Sequence, residues 1–117
     1  MTIEEIKNML ASREMDALIT EKVFGVSTYQ SFDGDYMIKS STVKNLNCPH
    51  YSTNIEYAWK AVECACEYDN VFSIWNIAKD GSWRVRLTSR KEPAIFEASA
   101  DTAPLAICRA LLLATNE

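Results

Sequence analysis

Apolar residues recur at helical spacing in three stretches of this chain and at strand spacing between the last two. At the start, Thr2-Ile3-Glu4-Glu5 has the form of a capping box, with Thr2 as cap and Glu5 reaching back. The short helix it predicts carries Ile3, Ile6 and Leu10 on one side. Ser12 is placed to cap a further helical segment, in which Met15, Leu18, Ile19 and Val23 follow one another at helical intervals. Gly25 is positioned to end that segment in a left-handed conformation. A second strong helix follows Thr53 and Glu56, another capping box, with Asn54 assisting at the first turn. Ile55, Ala58, Trp59, Val62, Ala65 and Cys66 form its apolar stripe, and Glu56, Lys60, Glu63 and Glu67 its wet side.

Strand signals come next. Val71 to Ala78 is rich in β-formers, and Asp80-Gly81 is a strong turn signal. Trp83-Arg84-Val85-Arg86-Leu87-Thr88 alternates apolar and polar, as a half-buried strand does. The pair predicts an antiparallel hairpin, and Pro93 bounds a third strand over Ala94 to Ala98. The last helix is capped by Asp101 or Thr102, has Pro104 in its first turn, and buries Leu105, Cys108, Leu111 and Leu112. Trp59, Trp75 and Trp83 are all expected in the core, and Arg109 is expected to snorkel from its apolar helix. Residues 26–50 are the least readable. Phe32-Asp33-Gly34-Asp35-Tyr36 holds a turn, and Tyr36 to Val43 reads as a strand weakened by Ser40-Ser41, or as part of a long loop. The pattern predicts one α+β domain over residues 1–117: a layered α/β sandwich with a short, mainly antiparallel sheet packed by about three helices.

Composition fits that picture. The 117 residues are 48% apolar, with three Gly and three Pro, which suits one globular domain with no long linker. The net charge of −4 gives no general attraction to nucleic acid or anionic membrane. No apolar run approaches the ~20 residues that span a bilayer. Glu4 and Glu5 near the start are unlike a signal peptide. Cys48, Cys64, Cys66 and Cys108 lack the spacing of a redox pair or zinc knuckle, so free thiols in a reducing cytoplasm are expected.

Three stretches are more specific than this. They are Asp16-Ala17-Leu18-Ile19-Thr20-Glu21-Lys22-Val23-Phe24-Gly25, then Pro49-His50-Tyr51-Ser52-Thr53-Asn54-Ile55 with Ala58-Trp59 and Val62-Glu63, and finally Ala100-Asp101-Thr102-Ala103-Pro104-Leu105-Ala106-Ile107-Cys108-Arg109-Ala110. In this order they resemble the phage ABA sandwich family of small phage and prophage proteins. His50 stands where the family has a second Pro, Asn54 where it has Asp, and the segment after Gly25 lacks the family's aromatic residue. The resemblance implies a compact α-β-α layered domain in a phage setting, and it implies no particular activity.

The candidate chemistry is sparse. His50 is the one histidine, and Pro49 separates it from Cys48, so a Cys–His nucleophile is not expected. Too few ligands cluster for zinc, Asp33 and Asp35 lack a calcium-loop continuation, and three glycines build no phosphate loop. No catalytic residue and no cofactor is predicted. The binding signals are the hydroxyl-rich entrance Tyr51-Ser52-Thr53, where a helix N-terminus can receive an anion, and Arg84 with Arg86 on one strand face, followed by Arg90 and Lys91. Together with the resemblance, these residues point to a non-catalytic phage protein that sequesters a small anionic, nucleotide-like host signal and so counters antiviral defence. The pocket of so small a chain would form at a homo-oligomer interface. The alternative is a protein-interaction module, an inhibitor or adaptor of a host or phage protein, suggested by Tyr29, Tyr36, Tyr51 and Tyr57.

Overall fold

The structure, a computed structural model, describes residues 1–39, 46–67, 70–89 and 94–116. The strand expected over Tyr36 to Val43 is described only as far as Lys39, and Arg90, Lys91 and Pro93 lie outside the described residues.

Helix α1 (Ile3–Lys7) begins at Thr2, whose hydroxyl accepts from the Glu5 N–H at 3.1 Å. Helix α2 (Arg13–Lys22) begins at Ser12, whose hydroxyl accepts from the Met15 N–H at 3.1 Å. Each cap satisfies one of the four free N–H groups at its helix start. After α2 the chain reverses. Gly25 takes φ 69°, a left-handed conformation that a side chain disfavours, and the Val26 N–H bonds back to the Thr20 carbonyl.

The described part of residues 26–50 holds a sheet. Strands β1 (Thr28–Gln30), β2 (Tyr36–Ile38) and β3 (Leu46–Asn47) pair antiparallel in that order. Helix α3 (Ile55–Cys66) follows, and its cap is Asn54 rather than Thr53. The Asn54 side chain accepts from the Glu56 N–H at 2.9 Å, while Tyr51 to Thr53 are spent in the turn before it.

The second sheet consists of β4 (Asn70–Ile77), β5 (Ser82–Ser89) and β6 (Ala94–Ala100), antiparallel with β5 central. Asp80-Gly81 makes the expected hairpin turn, with Gly81 at φ 74°. Helix α4 (Ala103–Thr115) begins at Thr102, which makes no side-chain capping bond. Ala106, Ile107, Cys108, Ala110, Leu111 and Leu112 are buried on several sides of α4, as befits a helix enclosed by protein. One side lies on β5 and β6, and α1, α2 and α3 pack against the others. Full burial of each Ile or Leu contributes about 1.5–3 kcal/mol.

The described residues form an α+β sandwich of four helices and two three-stranded antiparallel sheets, one helix and one sheet more than the pattern predicted. Strand alternation gives the larger sheet two unlike faces. Val85, Leu87 and Ala98 point into the core, whereas Arg84, Arg86 and Glu97 point away from the helices. On that outer face Ser73, Trp75, Arg84, Arg86 and Ser99 are exposed.

Two expectations about large side chains are corrected. Trp83 packs on the core, but Trp75 is 36% exposed and Trp59 45%. Trp75 lies opposite Arg84 in the β4–β5 register and so shares the outer face. Trp59 sits at the margin of the α3 stripe, edge-on to Phe72 at 5.6 Å between ring centroids. Arg109 also departs from expectation. Its Nε donates to the Met9 carbonyl at 3.0 Å and its Nη1 to the Ser99 carbonyl at 2.8 Å, so it ties the joint after α1 to β6 instead of reaching for water.

Candidate functional site

The predicted binding residues fall in two separate places. Tyr51 and Ser52 are buried beside α2, Thr53 is exposed in the turn, and Arg84 and Arg86 lie on the outer face of the larger sheet.

Tyr51 stacks on Phe24 at 5.4 Å and meets Tyr57 edge-on at 6.4 Å. Burial pushes its phenol up to about 12. The Ser52 N–H donates to Asp16 Oδ1 at 2.8 Å, and its hydroxyl donates to the Ser12 carbonyl at 3.2 Å. The N–H at this entrance thus already holds an anion, the side chain of Asp16.

Asp16 belongs to a network that the sequence pattern did not reveal. It is only 1% exposed. The Arg13 guanidinium donates to Asp16 Oδ2 at 2.8 Å, to Asp35 Oδ1 at 2.8 Å and to the Cys48 carbonyl at 2.7 Å. Asp35 also accepts from the Tyr36 N–H at 2.8 Å. The bond from Arg13, then that from Tyr36, holds the Asp35 carboxyl below its ordinary value. His50 Nδ1 stands 4.0 Å from Asp16 Oδ2. One guanidinium therefore clamps α2, the turn before β2 and the segment that leads from β3 to the Tyr51 turn. A helical pair such as Arg13 and Asp16 looks like ordinary surface charge in sequence, and the bonds that bury it reach 22 or more residues along the chain.

The outer sheet face is different in kind. The Arg86 guanidinium carbon lies 5.7 Å from the Trp75 ring centroid, a cation–π distance. Arg86 also donates from Nε and Nη2 to Glu97 Oε2 at 3.1 and 2.9 Å. Both partners are well exposed, so this pair contributes about 0–1 kcal/mol and is easily opened. Arg84 has no ion-pair partner among the described residues. It lies directly between Trp75 and Ser99 across the three strands. A hollow of about 260 Å³ adjoins it, lined by Lys7, Arg84, Glu97, Ala98 and Ser99. Lys7 likewise has no ion-pair partner among the described residues.

The thiols are not activated. Burial pushes the pKa of Cys48, Cys64, Cys66 and Cys108 up, away from the reactive thiolate. Among the described residues no group of three or more His, Cys, Asp or Glu side chains is arranged to hold a metal ion, and no helix is long and apolar enough to cross a membrane.

Fold and surface together define a small layered α+β protein whose larger sheet has an open face among the described residues. The chain belongs to the phage ABA sandwich family, since its residues 17–112 match the phage ABA sandwich domain. It is similar to a phage protein from Bacillus cereus ATCC 14579 with a 2.0 Å crystal structure, at 26% sequence identity and a TM-score of 0.73. That likeness covers 94% of this chain and 92% of the other. No curated protein matches the chain. Two of the stretches that carry the family resemblance meet at the bond between Ser52 and Asp16.

Proposed function

We propose that this phage protein is a non-catalytic binding protein that works in the host cytoplasm. It sequesters a small anionic, nucleotide-like host signal, and so counters antiviral defence. The supporting observation is the row Trp75–Arg84–Ser99 across the open sheet face, flanked by Arg86 and ending at the hollow that Lys7 shares. Trp75 offers a ring for a base to stack on, an interaction worth about 1–3 kcal/mol. Arg84 and Lys7 offer charge-assisted hydrogen bonds to phosphate oxygens. Trp75 and Ser99 are two strand spacings apart, roughly 10 Å, a separation suited to a base and its phosphate. Glu97 occupies Arg86 until a stronger anion displaces it. The raised thiol pKa values and the burial of Tyr51 and Ser52 favour binding without catalysis.

Thermal-shift screening against cyclic and linear adenine and guanine nucleotides tests the reading. Stabilisation by at least one nucleotide, lost in Arg84→Glu, is the expected result. No shift with any of them at concentrations well above micromolar would sink it.

A second reading is favoured by one specific observation. Val71, Trp75 and Ile95 are all exposed on the same open face, with Ile95 63% exposed. This suits a protein partner, and the chain would then act as an inhibitor or adaptor. Stoichiometric recovery of one host protein by the wild type, and its loss in an Ile95→Glu variant, would distinguish this reading from the first.

A further inference from the structure

Among the described residues, strand β4 forms one edge of the larger sheet. Its sequence, Asn70–Ile77, contains no charged residue, no Pro and no Gly. It pairs with β5 along all eight residues without a bulge. Soluble proteins usually guard such an edge with Lys, Pro, a bulge or a covering element, because its free N–H and C=O groups template further pairing. The opposite edge, β6, does show guards: Glu97 lies on it, and Arg109 donates to the Ser99 carbonyl. Exposed apolar groups gather around β4 instead. Val71 and Trp75 stand on its outer face, and Trp59 rests on Phe72 from α3 with Ile55 one turn away on the same helix.

We propose that a second copy of this chain pairs its β4 with this edge, antiparallel about a two-fold axis, to make a continuous six-stranded sheet. A copy of the same chain fits because an antiparallel edge complements itself. An uncharged strand also brings no like charges together in a chain of net charge −4. The axis must stand normal to the sheet, which keeps the outer face outward in both copies. Residues then oppose same-face residues only if the axis passes through one residue, and the middle of β4 places it at Ser73 or Ile74. Trp75 of one copy comes beside Val71 or Ser73 of the other, and the two α3 helices, with Ile55 and Trp59, line the inner side of the junction. The inference does not rest on the ligand reading: it is argued from β4 and α3, whereas the hollow is lined by Lys7, Arg84 and residues of β6, and Trp75 alone belongs to both readings.

Sedimentation velocity on the full chain at tens of micromolar tests it. The expected mass is about 26 kDa, twice the 13.2 kDa of one chain. Ser73→Lys, which installs a usual edge guard at an exposed position, is expected to yield a monomer with unchanged circular dichroism. Thr88→Lys, on the outer face of central β5, is expected to leave the dimer intact. If Ser73→Lys proves unfolded, Trp59→Glu is read in its place. Hydrogen exchange is expected to show slow amides at alternate positions of Val71–Ile77 that become fast in the monomeric variant. A wild-type monomer overturns the proposal. So does a dimer that survives both Ser73→Lys and Trp59→Glu in the folded state, or one that is lost in Thr88→Lys and kept in Ser73→Lys.

Discussion

The buried carboxylate of Asp16 accepts a hydrogen bond from the backbone N–H of Ser52, 2.8 Å away and 36 residues along the chain. Arg13 holds the second oxygen of the same carboxylate. Removing Asp16 leaves a guanidinium short of a partner and a buried N–H unsatisfied. Asp16→Ala is expected to cost about 3 kcal/mol or more. Asp16→Asn keeps an acceptor for Ser52 and should cost clearly less. Urea denaturation checks both, and a loss below about 1 kcal/mol for Asp16→Ala would show that the network contributes little.

Acid should weaken the same region through Asp35. Its folded pKa lies below the ordinary 3.8 because Arg13, and then the Tyr36 N–H, favour the carboxylate. A group with a depressed folded pKa contributes fully above its unfolded value and loses that contribution as pH falls through the folded one. Stability is therefore expected to drop below about pH 4. Asp35→Asn should flatten that limb in denaturation midpoints followed from about pH 6 to about pH 2, whereas an unchanged slope would remove Asp35 from the account.

Base should act through Tyr51. Burial raises its phenol to about 12, so the folded protein keeps a proton that the unfolded chain releases near pH 10. The contribution of the neutral phenol is complete below about pH 10 and is lost as pH rises towards 12. An absorbance titration should show one late tyrosine that is missing in Tyr51→Phe. Five tyrosines ionising together at the ordinary value would contradict this placement.

Arg109 makes a mechanical prediction. It donates to carbonyls on two elements, so Arg109→Met should lower stability by about 2 kcal/mol although it leaves an apolar helix more apolar. Stabilisation by that substitution, read from thermal or urea unfolding, would favour the simple snorkelling picture.

Legibility in the sequence followed the length and cleanness of the pattern. Helices α2, α3 and α4 and strand β5 carry long periodic runs, β4 is rich in β-formers before the Asp80-Gly81 turn, and the positions of all five are readable to within a residue or so. Strands β1 to β3 are two or three residues long, too short for a period to appear. The cap of α3 moved from Thr53 to Asn54 because both residues are good caps and the preceding turn took Thr53. The side of Trp75 is not legible because β4 alternates poorly: Val71, Phe72, Ile74, Trp75 and Ile77 put apolar groups on both faces. Its side is decided only by its register with Arg84. Arg84 and Arg86 were legible as a pair because β5 alternates cleanly, whereas the Asp16 network joins residues that no local pattern connects.

The central claim is that the open sheet face around Trp75 and Arg84 holds a small anionic ligand. Isothermal calorimetry with cyclic and linear nucleotides, on the wild type beside Trp75→Ala and Arg84→Glu, tests it most directly. Micromolar or tighter binding of at least one nucleotide to the wild type is expected, and none to either variant, both of which keep the native circular dichroism. Binding that survives both substitutions, or no binding by the wild type, would contradict it.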